Sequence, residues 1–357
     1  MVLCSNKKEV AYEFLPFLKV YKDGSVERFL DSPFVPPSME HSDSTINTDD
    51  DVVSSKDIRI NSDVTARIYL PTSTTTKKIS SNQKLPVLAY FHGGGFLMES
   101  AFSFLCHRYM NALVSQSKVM VISVEYRLAP ENPLPIAYED SWAALQWIAS
   151  HSIAPKIGEI NNDDVIEEKY EEQWVLKYAD FDRVFVGGDS AGANIAHNLS
   201  LRASLEGFHG GIMKIHGVLL CHPYFLGSKP IGSESGSHGM NMLNHKTWEI
   251  AYPNAPNGFD NPLINPFSNE APSLSGLQCS RLLVCVAEKD ELRERGVRYY
   301  DAVKKNDEWK GKVELFEVEG EDHCFQVFNV DGDNAKMLIK RLALFLNSYQ
   351  IQGTLVP

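Results

Sequence analysis

The segment "RVFVGGDSAGANIAHNLSLRASL" carries Ser190 between Gly188 and Gly192, after an apolar strand pattern and before a helical one. A bare Gly-X-Ser-X-Gly occurs by chance in about one chain in ten of this length. Context makes it informative: a strand-to-helix turn of about three residues lifts its central side chain to the carboxyl edge of a sheet, and flanking glycines let neighbouring backbone approach. A helix N-terminus beneath the hydroxyl favours developing negative charge. The competing interpretation is an ordinary tight turn. A serine hydroxyl is a poor nucleophile at neutral pH and needs a base, which in turn needs an orienting acid. Of the eleven histidines, His323 in "GEDHCFQVF" has the best position, a polar loop after the strand pattern "VELFEV". His222 in "CHPYF" also follows a strand and stays within the candidate site region. Asp290 in "AEKDELRERG" follows the strand "RLLVCVA", with Glu288 and Glu291 as competitors and a helix N-cap as its alternative role. Ser190, Asp290 and His323 therefore run in the order nucleophile, acid, base.

"FHGGGFLMES" places Gly93, Gly94 and Gly95 directly after the strand "LPVLAY". A tetrahedral acyl-transfer intermediate carries an oxyanion that needs two or three preorganised N–H donors. Successive glycines bring backbone N–H groups close with no side chains in the way, and the N–H of Ala191 joins them from the serine side. A phosphate cradle would need a following Gly-Lys-Ser/Thr, which is absent, and the spacing is not Gly-X-Gly-X-X-Gly. No metal or organic cofactor is required by this chemistry.

These groups need a scaffold, and the pattern from residue 85 onward supplies one. The runs "LPVLAYF", "VMVISVEY", "RVFVGG", "IHGVLLC", "RLLVCVA" and "VELFEV" read as strands buried on both faces, the signature of a mostly parallel sheet covered by helices. Residues 136–149 carry Tyr138, Trp142, Leu145 and Ile148 on one helical stripe, and 335–346 are apolar at helical spacing. The alternation implies an α/β fold in one domain, 1–357, with helices on both faces of the central sheet. Residues 57–70 read as an antiparallel edge strand or hairpin between two polar connections, 36–56 and 71–84. Residues 152–180 form a charged excursion. The loop-rich segment 227–272, together with about 1–60, is expected to cap the site.

With 34 Lys and Arg against 46 Asp and Glu, the net charge of −12 disfavours nucleic acid and anionic membrane surfaces as partners. Six scattered cysteines, without a paired motif, fit a reducing compartment. The first eighteen residues lack the apolar core of a signal peptide, and no run reaches the roughly 18 apolar residues of a membrane span, so a cytoplasmic location is expected. The sequon at Asn198 lies within a helical pattern and reads as accidental.

In order and spacing, "HGGGF", "GDSAGAN", "AEKDEL" and "GEDHCF" resemble the hormone-sensitive-lipase type of α/β-hydrolase. The phrases "VYKDGSVERFLDSP", "VEYRLAPENPLPIAYEDSWAALQWI" and "INPFSNEAPSL" look like those of plant carboxylesterases, and "ESAFSFLCHRYMNAL" and "LGSKPIGSE" are closest to 2-hydroxyisoflavanone dehydratase-like members. The resemblance spans about residues 10–346. It implies Ser190 as nucleophile, His323 as base, Asp290 as its partner, and Gly93, Gly94, Gly95 and Ala191 around the oxyanion. It implies a small ester or hydroxyflavonoid-like substrate and a monomer or homodimer. The main expectation is ester hydrolysis, with dehydration at the same site as the alternative. A pure receptor role, as in the gibberellin receptors, fits less well, because those lack the histidine that His323 matches. The acidic stretch "IGEINNDDVIEEKYEEQ" departs from the family pattern, away from the motifs.

Overall fold

In a computed structural model describing residues 8–38, 52–72, 84–153, 172–209, 213–232, 234 and 241–348, the chain begins with three short strands, β1 (Val10–Phe14), β2 (Leu18–Tyr21) and β3 (Val26–Arg28). They make a separate antiparallel sheet. Then come β4 (Val52–Arg59), β5 (Thr65–Thr72), β6 (Leu85–Phe91), α1 (Phe104–Ser117), β7 (Met120–Glu125), α2 (Ile136–Ser150) and α3 (Gln173–Tyr178). The second half runs β8 (Ala179–Asp189), α4 (Ala191–Glu206), β9 (Ile215–Cys221), α5 (Asn241–Ala251), β10 (Arg281–Ala287), α6 (Arg293–Lys304), β11 (Lys312–Val318), α7 (Phe325–Phe328) and α8 (Asp333–Asn347).

The main sheet has eight strands in the order β4-β5-β7-β6-β8-β9-β10-β11. β5 is antiparallel to both neighbours, and every pair from β7 to β11 is parallel. Every residue of β6 is buried, because alternate side chains feed two cores. Val87, Ala89 and Phe91 join Val186 and Leu220 beneath α2, α4 and α6. Leu88 and Tyr90 join Phe185 and Leu219 beneath α1 and α8. Each large apolar side chain so buried contributes roughly 1.5–3 kcal/mol. The expected mostly parallel α/β fold with helices on both faces is the observed one.

Several local expectations change. Residues 52–56, expected within a connection, form the first half of β4, and their pairing from Val52↔Thr72 to Arg59↔Thr65 makes β4 the sheet edge. Residues 52–59, expected within the N-terminal cap segment, therefore belong to the main sheet. The excursion 152–180 is partly built: Glu172 caps α3, Val175 is buried, and β8 already begins at Ala179, while 154–171 lie outside the described residues. β11 is only partly buried, since it forms the other edge. Residues 39–51, 73–83, 233 and 235–240, on which parts of the expected connections and cap fall, also lie outside the described residues. Among the described residues, no helix is long and apolar enough to cross a membrane.

Candidate active site

Register brings the site together. Phe91 at the end of β6 pairs with Gly188 on β8, Asp189 with Cys221 at the end of β9, Cys221 with Cys285 on β10, and Ala287 with Val318 at the end of β11. Five carboxyl ends are thus nearly level, and each releases its functional residues within a few positions: Gly93–Gly95, Ser190, His222, Asp290 and His323. The location, beside β6 where the strand order reverses, is where open parallel sheets bind ligands.

Ser190 caps the turn from β8 to α4 with φ 55° and ψ −114°, a left-handed conformation that strains a residue with a Cβ by roughly 1–3 kcal/mol. Three backbone hydrogen bonds hold it there: its N–H donates to Cys221 O at 2.9 Å, and its carbonyl accepts from Tyr224 N at 3.1 Å and Asn194 N at 3.0 Å. Gly192 is required by proximity, since a Cβ there would lie 1.9 Å from Phe91 O.

The Ser190 Oγ lies 2.9 Å from His323 Nε2, and His323 Nδ1 lies 2.8 Å from Asp290 Oδ2. Asp290 fills both roles weighed for it, because its other oxygen, Oδ1, accepts from Leu292 N at 2.9 Å and closes the turn leading into α6. Glu288 accepts from Gly320 N on the surface and Glu291 from Asn244, so neither competes. Burial pushes the Asp290 carboxyl up, but the imidazoles of His323 and His222 outweigh it and hold the group well below its ordinary value. For His323 burial acts downward, and its neighbours Cys324 and Asp290 prevail, raising it well above its ordinary value. Of those neighbours Cys324 is itself pushed up by burial and stays a thiol near neutral pH, so the Asp290 carboxylate is the effective partner.

The glycine loop is held through its carbonyls. Tyr126 Oη donates to His92 O at 2.7 Å; Gly93 O accepts from His92 Nδ1 at 2.8 Å and from Tyr126 Oη at 3.3 Å; Gly94 O accepts from Leu97 N and Met98 N at 3.0 and 3.2 Å. In a trans peptide the next residue's N–H points opposite the carbonyl. Pinning these three carbonyls therefore sets the direction of the N–H groups of Gly93, Gly94 and Gly95. None of these N–H groups, nor that of Ala191, serves a backbone hydrogen bond among the described loops and turns. Gly94 adopts φ 95°, and a Cβ there would meet Met98 O at 2.1 Å. Burial lowers the His92 imidazole to about 4, so it is neutral, and it stacks on Tyr126 with ring centroids 4.3 Å apart.

Sequence reasoning missed the buried polar network below the serine. Tyr90 Oη donates to Asp189, Gln326 Nε2 donates to Asp189 Oδ1 at 2.6 Å, and Gln326 Oε1 lies 3.1 Å from His222 Nε2. The opposite nitrogen, His222 Nδ1, stands 3.3 Å from Asp290 Oδ2, outside hydrogen-bond geometry. Only the post-strand position of His222 hinted at this; Tyr126, Tyr90 and Gln326 carried no spacing signal. Donor atoms of His222, Asp290 and His323 lie within 4.8 Å of one another. Both His323 nitrogens already face partners, Asp290 and Ser190, which suits proton transfer better than metal ligation. Of the other histidines, His197 is buried against Tyr299 Oη at 2.8 Å, away from the cavity.

Ser190, His323 and Gly93–Gly95 open onto a cavity of about 510 Å³, walled mainly by apolar side chains. Phe17 and Leu30 come from the N-terminal segment, Leu243 and Thr247 from α5, and Val327 and Phe328 from α7. Arg28 ties the N-terminal segment to the end of the glycine loop by donating to Leu97 O at 2.5 Å and Ala129 O at 3.1 Å, while forming a bidentate pair with Glu131.

Residues 88–327 match the α/β hydrolase fold family. The chain is 48% identical over 342 residues to a 2-hydroxyisoflavanone dehydratase of Glycyrrhiza echinata, covering 96% of this chain and 98% of that protein. It is 42% identical to probable carboxylesterase 2 of Arabidopsis thaliana, covering 97% and 99% of the two chains. Among solved structures, an esterase of Pyrobaculum calidifontis superposes with a TM-score of 0.62 at 25% identity, over 82% of this chain and 84% of that one. The chain is a member of the α/β-hydrolase family.

Proposed function

We propose that this chain hydrolyses small carboxylic esters through a covalent acyl intermediate on Ser190. The observation that carries the reading is the continuous line from Ser190 Oγ through His323 to Asp290, at 2.9 and 2.8 Å, facing an apolar cavity. His323 takes the serine proton as Oγ attacks the ester carbonyl, and Asp290 fixes the imidazole tautomer and stabilises its positive charge. The N–H groups of Gly93, Gly94, Gly95 and Ala191 receive the oxyanion. His323 then protonates the leaving alkoxide, and water repeats the steps to release the acid. The chain works as one domain, with described residues of 8–38 and of 227–272 capping the cavity.

The carboxylesterase and esterase relatives support this reading, and the 48% identical dehydratase supports a second one. In that reading the same N–H groups polarise a ketone while His323 removes the adjacent proton and water leaves. Assaying p-nitrophenyl butyrate and a 2-hydroxyisoflavanone with wild type and Ser190→Ala separates the two. Hydrolysis requires the serine absolutely. Dehydration survives Ser190→Ala in part and is lost with His323→Ala. Wild-type ester turnover in Ser190→Ala would overturn the covalent mechanism.

A further inference from the structure

The cavity wall contains a charge that the ester-hydrolysis reading, on which this inference rests, does not use. Glu99 lines the cavity alongside Ser190 and His323, and no Lys or Arg lines it among the described residues. The other acidic lining residue, Asp189, is fully buried and receives hydrogen bonds from Tyr90 and Gln326. Glu99 differs from it. Its carboxylate accepts from Ser32 N at 3.2 Å, Ser32 Oγ at 3.3 Å and Ser103 Oγ at 2.6 Å, all uncharged donors, and it has no ion-pair partner among the described residues. Its own N–H donates to Asp31 Oδ1 at 2.8 Å, which adds a second carboxylate nearby. Arg28, which anchors the end of the glycine loop, is committed to Glu131 and to backbone carbonyls.

Three hydroxyl and amide donors therefore hold Glu99 in place without neutralising it. An uncompensated charge beside an apolar cavity is poorly screened, so its field acts on whatever enters. The apolar walls of Leu30, Leu97, Met98, Leu243 and Phe328 favour burial of a hydrocarbon or aromatic group. We infer that Glu99 selects substrates by charge: the site takes esters whose large apolar group is neutral or carries a cation, and rejects those bearing a carboxylate, sulfate or phosphate.

Binding tests this without relying on turnover. The p-nitroanilides of hexanoate, of adipate with its second carboxyl free, and of 6-(trimethylammonio)hexanoate share one acyl-anilide body and end in a neutral methyl, a carboxylate and a trimethylammonium group. Their dissociation constants are measured with Ser190→Ala protein by calorimetry in about 0.5 M salt, where a Debye length of about 4 Å suppresses the long-range field of the net charge. The carboxylate ligand is expected to bind at least about tenfold more weakly than the neutral one, and the ammonium ligand more tightly. Adding Glu99→Gln, which keeps the side chain's size and an acceptor oxygen, should close the gap. Equal binding of neutral and carboxylate ligands, or an unchanged gap in the Gln variant, overturns the inference. Should that variant not fold, an ammonium ligand binding no tighter than the neutral one overturns it equally. Hydrolysis of p-nitrophenyl hexanoate by wild-type protein is scored separately, so failure of the ester-hydrolase reading and failure of charge selection give different results.

Discussion

The serine turn and the glycine loop leave neighbouring strands, β8 and β6, and are held in place differently. Around Ser190 the constraint is mainly steric and comes from backbone: a strand, a strained residue and a helix follow in sequence, backbone bonds to Cys221 and Tyr224 fix the turn, and Gly192 lies close enough to Phe91 O to exclude a methyl group. The loop at Gly93–Gly95 is instead held by polar donors from elsewhere, Tyr126 at the end of β7 and Arg28 at the end of β3. A steric constraint fails abruptly when an atom is added. A set of hydrogen bonds weakens in steps, because each donor removed leaves the others in place.

Mutations can break this contrast. Ser190→Ala removes the proposed nucleophile and should lower ester kcat by about 10⁶-fold with the fold retained, read by steady-state kinetics beside circular dichroism. Gly192→Ala should destabilise the chain by about 3 kcal/mol or more, seen as a lowered urea midpoint or loss of soluble protein. Tyr126→Phe keeps the ring stacked on His92 and removes only the hydroxyl; kcat should fall about 10- to 100-fold with KM little changed, since a small misplacement of oxyanion donors acts on the transition state. An equal loss in KM would place Tyr126 in substrate binding instead. Arg28→Ala should reduce kcat by only about 2- to 10-fold, because the closer donors to the loop remain, and Arg28→Lys should restore part of it.

The pH profile sharpens the comparison from the base's side. In the proposed mechanism His323 acts as a base only when neutral, and its affinity for a proton is raised above the ordinary 6.5. Lowering the pH therefore protonates it early, so the acid limb of kcat/KM should have its midpoint above pH 6.5. In Asp290→Asn the raising charge is gone, and that limb should move to lower pH as kcat drops about 10⁴-fold. A limb that stays in place would assign it to another group.

Much of the fold was legible because burial on two faces leaves continuous apolar runs, and β6, β8, β9 and β10 were each read from such a run. The N-terminal strands escaped notice, since β1 to β3 are largely exposed and short, with only Phe14 and Leu18 buried. The Asp-Gly pair of their hairpin, where Asp23 accepts from Ser25 N at 2.9 Å, was the available signal. Helix α1 was also unread, although Cys106, Tyr109, Met110, Leu113 and Val114 form its buried stripe at helical spacing.

For the site, residue types and their order pointed to Ser190, Asp290, His323 and the three glycines. Nucleophilic chemistry demands those types, and strand-end positions mark where they can act. The tertiary structure alone decided the distances among them, because these depend on the relative register of five strands distant in sequence. It also decided which polar residues support them. Tyr126 and Gln326 look ordinary along the chain and contact the glycine loop and Asp189 only because of what the folded chain places beside them, which no local pattern encodes.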